Sequence, residues 1–199
     1  EFFTTGVGEH KNKKNIPIAY PLFIKPITGG DSRGIDNNSI VRNYRGFKKK
    51  VLEIKKNQHT RCLVEKYLTG KEYSVGIFKD NITGSIVAMP IEIIVKRNNN
   101  GNHILDFDIK KNDEEEVVAV LDLRIFNQLS VLAKKSFVAL KGKSLGRIDF
   151  KMDHLGNPHF IEANLMPGIK KGYFYRSCLL NLNINYEEMI LKITANGLN

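Results

Sequence analysis

Cysteine is scarce in this sequence of 199 residues, and long apolar runs are missing. The only two cysteines, Cys62 and Cys178, have no CxxC spacing and no histidine at a metal-ligand interval, which indicates free thiols in a reducing compartment. No apolar stretch approaches the roughly 20 residues that cross a bilayer. The first residues, Glu1–Thr5, read as a short strand rather than a secretory signal. We therefore expect a globular cytoplasmic protein.

Acidic residues are also in deficit. The chain has 31 Lys and Arg against 21 Asp and Glu, a formal charge of +10, which favours anionic partners such as nucleotides, nucleic acids or acidic membranes. One basic patch, Lys48–Lys50 with Lys55–Lys56, lies on a predicted helix, and we expect it to be a solvated helix face. Basic and aromatic residues alternate only weakly, which argues against a groove for single-stranded nucleic acid.

Internal repeats are absent, and the hydrophobic pattern predicts one α+β chain built from antiparallel hairpins. The first predicted helix has an apolar side formed by Phe47, Val51, Leu52 and Ile54. A lobe boundary is expected near Leu68–Gly70. The predicted helices are Tyr44–Lys56, Asp122–Leu140 and Tyr186–Ala195, and the later predicted strands are Arg61–Glu65, Glu72–Lys79, Ser85–Lys96, Gly146–Asp153 and Pro158–Asn164.

The last predicted hairpin concentrates polar residues on one patch. A four-residue loop over 154–157 would pair Asp153 with Pro158. Counting outward from that pair gives two polar pairs across the strands: Asp149 opposite Glu162, and Arg147 opposite Asn164. Because side chains alternate along a strand, all four would lie on the same face.

Two directly opposed carboxylates repel each other, so this patch requires a positive group. Mg²⁺ takes one or two protein carboxylates and completes its shell with phosphate oxygens and water. Asp149, Glu162 and the amide oxygen of Asn164 are therefore candidate metal ligands. The alternative is that Arg147 alone neutralises a surface carboxylate pair.

Two further segments suit a nucleotide. Lys25-Pro26 ends a strand before Thr28–Gly34, a loop whose three glycines let backbone N–H groups approach phosphate oxygens, although no Gly-Lys-Ser/Thr closes it as in a Walker A loop. The strand Leu63–Leu68 turns polar near the lobe boundary, where its backbone could form hydrogen bonds with the edge of an adenine base. Glu72 could accept hydrogen bonds from ribose hydroxyls. Taken singly, these segments are more typical of a surface turn and an edge strand.

In their joint order and spacing these segments resemble the ATP-grasp enzymes of the D-alanine–D-alanine ligase group, over nearly the whole chain. The matching motifs are Phe23-Ile24-Lys25-Pro26, Glu65-Lys66-Tyr67-Leu68, Arg147-Ile148-Asp149-Phe150, Glu162-Ala163-Asn164 and Met166-Pro167-Gly168. The resemblance implies an ATP-grasp fold in which two α+β lobes with antiparallel sheets sandwich the nucleotide. The small central lobe would cover residues 1–68, and a C-terminal lobe with the metal and catalytic site would cover 69–199.

The resemblance also implies roles for single residues. The implied catalytic residues are Arg147, Lys110 and Ser32. The implied cofactor-binding residues are Lys25, Gly30, Gly34, Glu65, Lys66, Tyr67, Leu68, Glu72, Lys110 and Ile161. The implied metal ligands are Asp149, Glu162 and Asn164, which would hold one or two Mg²⁺ ions, with Mn²⁺ as a substitute.

Three places depart from the family pattern. Asp31-Ser32 stands where two serines are usual, and Lys111 follows the second lysine where a tyrosine is usual. The segment Ile169–Tyr173 lacks the serine that helps to bind the substrate carboxylate in the D-alanine enzymes. These are substrate-side positions, so we expect the ATP chemistry without the D-alanyl-D-alanine product. The family's N-terminal substrate domain is absent, so the chain is expected to be either a fragment or naturally short.

The expected function is ATP-dependent ligation of a carboxylate to an amine through an acyl phosphate, with ATP and Mg²⁺ as cofactors and amino acids or short peptides as substrates. The alternative is a nucleotide-binding fragment, or a degenerate ligase, that holds Mg-ATP without turnover. A basic nucleic-acid-binding protein is a third class, but it leaves the converging carboxylates unexplained. No nucleic-acid or membrane partner is expected, and a homodimer is one expected state because such ligases are commonly dimers.

Overall fold

The computed structural model describes residues 1–30, 32–95 and 115–197, and the chain forms two compact units. The first unit contains Glu1–Leu68, and the second contains Thr69–Ile94 and the chain from Glu116 onward. None of the helices in the described ranges is both long enough and apolar enough to cross a membrane.

The first unit is a four-stranded antiparallel sheet covered by one helix. Its strands are β1 (Phe2–Thr5), β2 (Leu22–Pro26), β3 (Ile40–Val41) and β4 (Cys62–Lys66), in the order β1-β4-β2-β3. Helix α1 (Tyr44–Gln58) begins at Asn43, whose side chain accepts the Gly46 N–H at 2.9 Å. The core of this unit is apolar and contains Leu22, Ile24 and Val64 from the strands and Phe47, Val51 and Ile54 from the helix.

Two expectations about helix α1 are wrong. Leu52 was assigned to the apolar side, but its side chain is exposed while those of Phe47, Val51 and Ile54 are buried. Lys50 was assigned to a solvated basic face, but its side chain is only 1% exposed. Its ammonium group contacts Asp36 at 2.9 Å and Glu53 at 2.8 Å. A buried lysine requires such partners because an unpaired charge is costly to desolvate.

The second unit is a five-stranded antiparallel sheet with helices on both faces. The strands are β5 (Glu72–Lys79), β6 (Ile86–Ile94), β7 (Glu116–Ala119), β8 (Leu145–Met152) and β9 (Pro158–Asn164), in the order β7-β6-β5-β8-β9. The helices are α2 (Leu123–Ala139), α3 (Tyr173–Leu182) and α4 (Tyr186–Gly197). Side-chain alternation along β5 and β8 therefore produces two different surfaces.

One face of this sheet is an apolar core. Tyr73, Val75 and Ile77 of β5 and Ile148, Phe150 and Met152 of β8 pack there against Leu129, Ala133 and Phe137 of α2. The opposite face is apolar where α3 and α4 cover it, through Phe78, Met89, Phe174, Cys178 and Met189. On β5 and β8 that opposite face also carries the polar residues Glu72, Ser74, Arg147, Asp149 and Lys151, because they alternate with the core residues.

The predicted elements listed above are present, with ends within two residues of those expected. Among the strands and α-helices of the described residues, β3, β7 and α3 were not predicted. The two strands are only two and four residues long, which is too short for an alternating pattern to be recognised. Helix α3 does show a helical signal, since Phe174, Ser177 and Cys178 are buried at three- and four-residue steps.

Both cysteines are free, as expected, and both are buried. Burial raises the pKa of the Cys62 thiol to about 11 and that of Cys178 to about 12. We expect neither thiol to react with a disulfide reagent at pH 8 in the folded protein, and both to react after unfolding, because the thiolate is the nucleophile. A colorimetric thiol count with and without denaturant checks this, and rapid reaction of either thiol in the folded protein would contradict it.

The same two shifts set a pH dependence of stability. The unfolded chain loses these thiol protons near the ordinary pKa of 9, while the folded chain retains them to about 11 or higher. Above pH 9 the unfolded state therefore binds fewer protons than the folded state. The contribution of the buried thiols to stability is fully present below pH 9 and is lost as the pH rises towards 11.

Candidate active site

The polar patch depends on the pairing of β8 with β9. The predicted loop over 154–157 is one residue too short: Met152, not Asp153, faces Pro158, and Asp153 belongs to the loop. The pairing then shifts between Asp149 and Phe150, because β9 contains one extra residue, Ile161, between Phe160 and Glu162. The extra residue in β9 compensates for the wrong loop length, so the pairing beyond the bulge is the predicted one.

Beyond the bulge the register is the expected one. Asp149 faces Glu162, and Arg147 faces Asn164. The loop that sets the register is held by Asp153, whose carboxylate accepts the N–H groups of Leu155 and Asn157 at 2.9 Å each. The Asn157 N–H is the largest cause that holds the pKa of Asp153 well below its ordinary value. The hairpin therefore holds Asp149 directly opposite Glu162.

Arg147 joins the two carboxylates. Its Nε and one terminal nitrogen donate to both oxygens of Asp149, at 3.0 Å and 2.8 Å, and the same terminal nitrogen reaches Glu162 at 3.2 Å. The Tyr173 ring covers the guanidinium at 5.6 Å from Cζ to the ring centroid. Burial alone would lower the pKa of Arg147, but the charge and hydrogen bonds of Asp149 raise it. Arg147 is thus a fixed cation in a mostly enclosed place.

Exposure differs sharply within this group. The side chains of Arg147 and Asp149 are 15% and 10% exposed, whereas that of Glu162 is 52% exposed. Asp149 has a further partner, because the Ser74 hydroxyl of β5 donates to its Oδ1 at 2.7 Å. Ser74 was not predicted as a site residue. Its contact depends on β5 lying next to β8, which no local pattern in the sequence reveals.

The remaining residues of this patch have identifiable partners. Glu72 contacts the Lys151 ammonium at 3.0 Å, directly across β5 and β8. Asn164 faces Arg147 in the register, and its amide oxygen accepts the Met166 N–H at 3.0 Å. Ile161 is the half-buried bulge residue. The structure therefore brings Arg147, Asp149 and Glu162 into contact, with Asn164 beside them.

The donor set of this patch fits a hard divalent cation. The carboxylates of Asp149 and Glu162 lie on directly paired residues, and the amide oxygen of Asn164 lies two residues from Glu162 on β9. This set matches the one or two carboxylates that Mg²⁺ takes from a protein. Within the described ranges no group of three or more His, Cys, Asp and Glu side chains could hold a metal ion. Any such ion would therefore draw most of its ligands from phosphate oxygens and water.

In the first unit Lys25 and Glu65 form an ion pair. The Lys25 ammonium lies 2.8 Å from the Glu65 carboxylate, with 16% and 23% of the two side chains exposed. The next residues of this segment are anchored by their backbones, since Lys66 N–H donates to Glu1 O at 3.3 Å and Tyr67 N–H to Pro21 O at 3.1 Å. Hydrogen bonds from this segment to an adenine base would thus involve its backbone carbonyl groups and the backbone of Leu68.

The glycine-containing loop after β2 consists of consecutive tight turns. Arg33 N–H donates to Gly30 O at 3.1 Å, and Ile35 N–H to Ser32 O at 3.0 Å. Ser32 has a positive φ of 58° and Gly34 one of 79°. A side chain at Gly34 would also approach Pro26 to 2.8 Å, so glycine is required there. Lys110, the second predicted phosphate-binding lysine, lies outside the described residues, as does Asp31.

Comparison with known proteins identifies the family of this chain. The family model described as the D-Ala D-Ala ligase C-terminus matches residues 4–195. The chain belongs to this D-Ala–D-Ala ligase family. Among curated relatives, the D-alanine–D-alanine ligase of Clostridium beijerinckii is 26% identical over 94% of this chain and 58% of its own length. That of Corynebacterium glutamicum is 30% identical over 89% of this chain and 48% of its own length.

Solved structures of the ligase family share the fold of this chain. The D-alanine–D-alanine ligase from Bacillus anthracis complexed with ATP matches all of this chain and 60% of its own, with a TM-score of 0.74 and 19% identity. The VanG D-Ala:D-Ser ligase from Enterococcus faecalis matches 98% of this chain and 56% of its own, with a TM-score of 0.74 and 17% identity. The predicted α+β ATP-grasp fold with antiparallel sheets is thereby confirmed. The chain spans about half of the length of its curated relatives.

Proposed function

We propose that this chain is the nucleotide-binding and catalytic part of an ATP-dependent carboxylate–amine ligase that acts through an acyl phosphate. The observation that carries the proposal is the contact of Arg147 with both Asp149 and Glu162 on paired strands. Membership of the D-Ala–D-Ala ligase family supports the reaction class. The Bacillus anthracis relative, whose structure is described as complexed with ATP, supports the choice of nucleotide.

In this proposal residues 1–68 form the small lobe, which holds the phosphates and the base. Lys25 contributes a positive charge, and the loop with Gly30, Ser32 and Gly34 offers backbone N–H groups to phosphate oxygens. Binding of a phosphate by Lys25 must compete with Glu65, which holds the lysine at 2.8 Å. The segment Glu65–Leu68 receives the adenine. Lys110 supplies a second positive charge to the phosphates.

Residues 69–199 form the lobe of the metal and of the acyl group. A bound Mg²⁺ would neutralise phosphate oxygens during transfer, held by Asp149, Glu162 and Asn164. Glu72 accepts hydrogen bonds from the ribose hydroxyls, and Ile161 contacts the nucleotide. Arg147, a permanently charged and mostly enclosed group, stabilises negative charge that develops on the acyl centre. Phosphoryl transfer demands mainly such positioning and neutralisation, so no nucleophilic Ser or Cys is required.

The proposed substrates are a small carboxylic acid and an amine of the amino-acid or short-peptide class. The substrate carboxylate attacks the γ-phosphorus of ATP and ADP leaves; the amine then attacks the acyl carbon, phosphate leaves, and an amide is formed. Relatives are named as D-alanine–D-alanine ligases. The departure at Ile169–Tyr173, where the D-alanine enzymes have a serine for the substrate carboxylate, favours a different acid or amine.

Titration calorimetry with Mg-ATP, followed by an ADP-release screen over amino acids and dipeptides, tests the proposal. We expect Asp149→Asn and Glu162→Gln each to lower ADP release by about 100-fold or more while the chain stays folded, because each removes a proposed metal ligand. Glu187→Gln, an exposed carboxylate on α4, is the matched control and should leave release unchanged. Absence of ATP binding would overturn the proposal. Binding without ADP release on any acid would reduce it to a nucleotide-binding module.

A further inference from the structure

Ser74 is a buried polar residue that lies beside the proposed metal ligand Asp149. It is fully buried in β5, where it pairs with Ile91 of β6 on one side and with Asp149 of β8 on the other. Ile91 is also fully buried, so the hydroxyl is enclosed on that side by an apolar neighbour. Its hydrogen bond goes to Asp149 Oδ1, at 2.7 Å.

From this contact we infer that Ser74 is a positioning residue, which orients Asp149 for binding a divalent cation. The inference rests on the proposed function. Asp149 Oδ1 accepts two hydrogen bonds, one from Ser74 and one from the Arg147 Nε at 3.0 Å. Oδ2 accepts one, from the Arg147 terminal nitrogen at 2.8 Å. The carboxylate is therefore held from two neighbouring positions, and Oδ2 retains lone-pair capacity.

The direction in which Oδ2 points decides whether it can act with Glu162. The nitrogen that contacts Oδ2 is also the one that contacts Glu162, so both carboxylates direct an oxygen at the same atom. Without the Ser74 bond only the arginine would fix the rotation of the Asp149 carboxylate. Arg147 would have to shift its contacts when a cation bound between the carboxylates, whereas the uncharged Ser74 could retain its bond. Ser74 would then keep Oδ2 directed at the cation.

Ser177 provides a matched control within the same unit. Like Ser74 it is fully buried, and it packs against β5, since a side chain at Gly76 would approach its Oγ to 3.2 Å. Within the described part of the chain its hydroxyl has no hydrogen-bond partner. Ser177→Ala thus removes a buried hydroxyl beside the same strand without touching Asp149.

The decisive quantity is the gain in ATP affinity that the metal provides. Calorimetry gives the ATP dissociation constant of the full chain in EDTA and in excess Mn²⁺, and their ratio is the gain. We expect Ser74→Ala to lower this ratio by about tenfold, as is typical when a group that supports a metal ligand is removed. Ser177→Ala should leave it unchanged, and Ser74→Thr, which keeps the hydroxyl, should retain most of it. A purely structural role would change the melting temperature and both affinities together, but not their ratio.

The outcomes separate this inference from the proposed function. Asp149→Asn is the reference that should bring the ratio close to one. If it does so and Ser74→Ala keeps the wild-type ratio, only the inference about Ser74 is overturned. If the wild-type chain itself shows no gain from Mn²⁺, the metal assignment and this inference are both wrong. If Ser74→Ala does not fold, Ser74→Thr and Ser74→Val, which differ chiefly in the hydroxyl, give the same comparison.

Discussion

Replacing Arg147 by Met is expected to lower the free energy of unfolding by about 3 kcal/mol or more, because a nearly buried carboxylate then loses its counter-charge. The side chain of Asp149 is only 10% exposed, and its remaining hydrogen bond is the one from Ser74. Methionine fills much of the same volume, so the loss reports the unpaired charge more than a cavity. Urea unfolding followed by circular dichroism measures the change.

A double-mutant cycle isolates the part that belongs to the ion pair. Asp149→Asn should cost less than Arg147→Met, because Arg147 keeps its contact with the half-exposed Glu162 and with the Tyr173 ring. The double variant should be more stable than the sum of the two single losses predicts, by about 1.5 kcal/mol, a coupling typical of residues in direct contact. Additive losses would show that the bidentate contact contributes nothing beyond the packing of each side chain.

This ion pair bears on the two readings that the sequence left open. Arg147 does contact both carboxylates, as the alternative without a metal requires. The two contacts are unequal, however. Arg147 donates two hydrogen bonds to Asp149 but one longer hydrogen bond to Glu162, whose side chain is exposed. Asp149 is held further by the buried hydroxyl of Ser74. The asymmetry supports Asp149 as a fixed ligand and Glu162 as an adjustable one.

The elements that were predicted from sequence are those with a strong local period. Helix α2 is recognised by Leu129, Ala133 and Phe137, and its N-cap Asp122 accepts two backbone N–H groups as such residues usually do. The errors arise where a local pattern does not determine the environment. Lys50 follows two exposed lysines on the same helix, yet Asp36, from a separate loop, draws it into the interior.

The sequence predicts the site residues on the hairpin, but it does not predict Ser74, which contacts them from the neighbouring strand β5. Counting outward from a four-residue loop paired Asp149 with Glu162 and Arg147 with Asn164 correctly only because the error in the loop length and the bulge at Ile161 cancel. The bulge at Ile161 could not be foreseen, because no glycine or other signal marks it. Ser74 required knowledge that β5 pairs with β8, a contact across 75 positions of the chain. Such pairings are decided by the packing of the whole sheet.

Replacing Gly70 by Ala is expected to lower the free energy of unfolding by about 3 kcal/mol, because the new methyl group would meet backbone rather than a movable side chain. It would lie 2.7 Å from the Met152 carbonyl oxygen and 2.8 Å from that of Asp153. Gly70 also donates its N–H to Met152 O at 2.9 Å, so relieving the clash breaks this bond and separates the chain from the end of β8.

The damage should extend to the site, because Gly70 lies two residues before Glu72, and Met152 follows Lys151, the partner of Glu72. We therefore expect weaker ATP binding, in proportion to the loss of the proposed contact between Glu72 and the ribose, in addition to the loss of stability. Gly168→Ala is the control: nothing lies within 4 Å of its added methyl group and its φ is not in the left-handed region. Its stability should stay within about 1 kcal/mol of the wild type, or rise slightly. Equal stability of the two variants in urea unfolding would show that β8 yields at Met152, and that the close approach of Gly70 is dispensable.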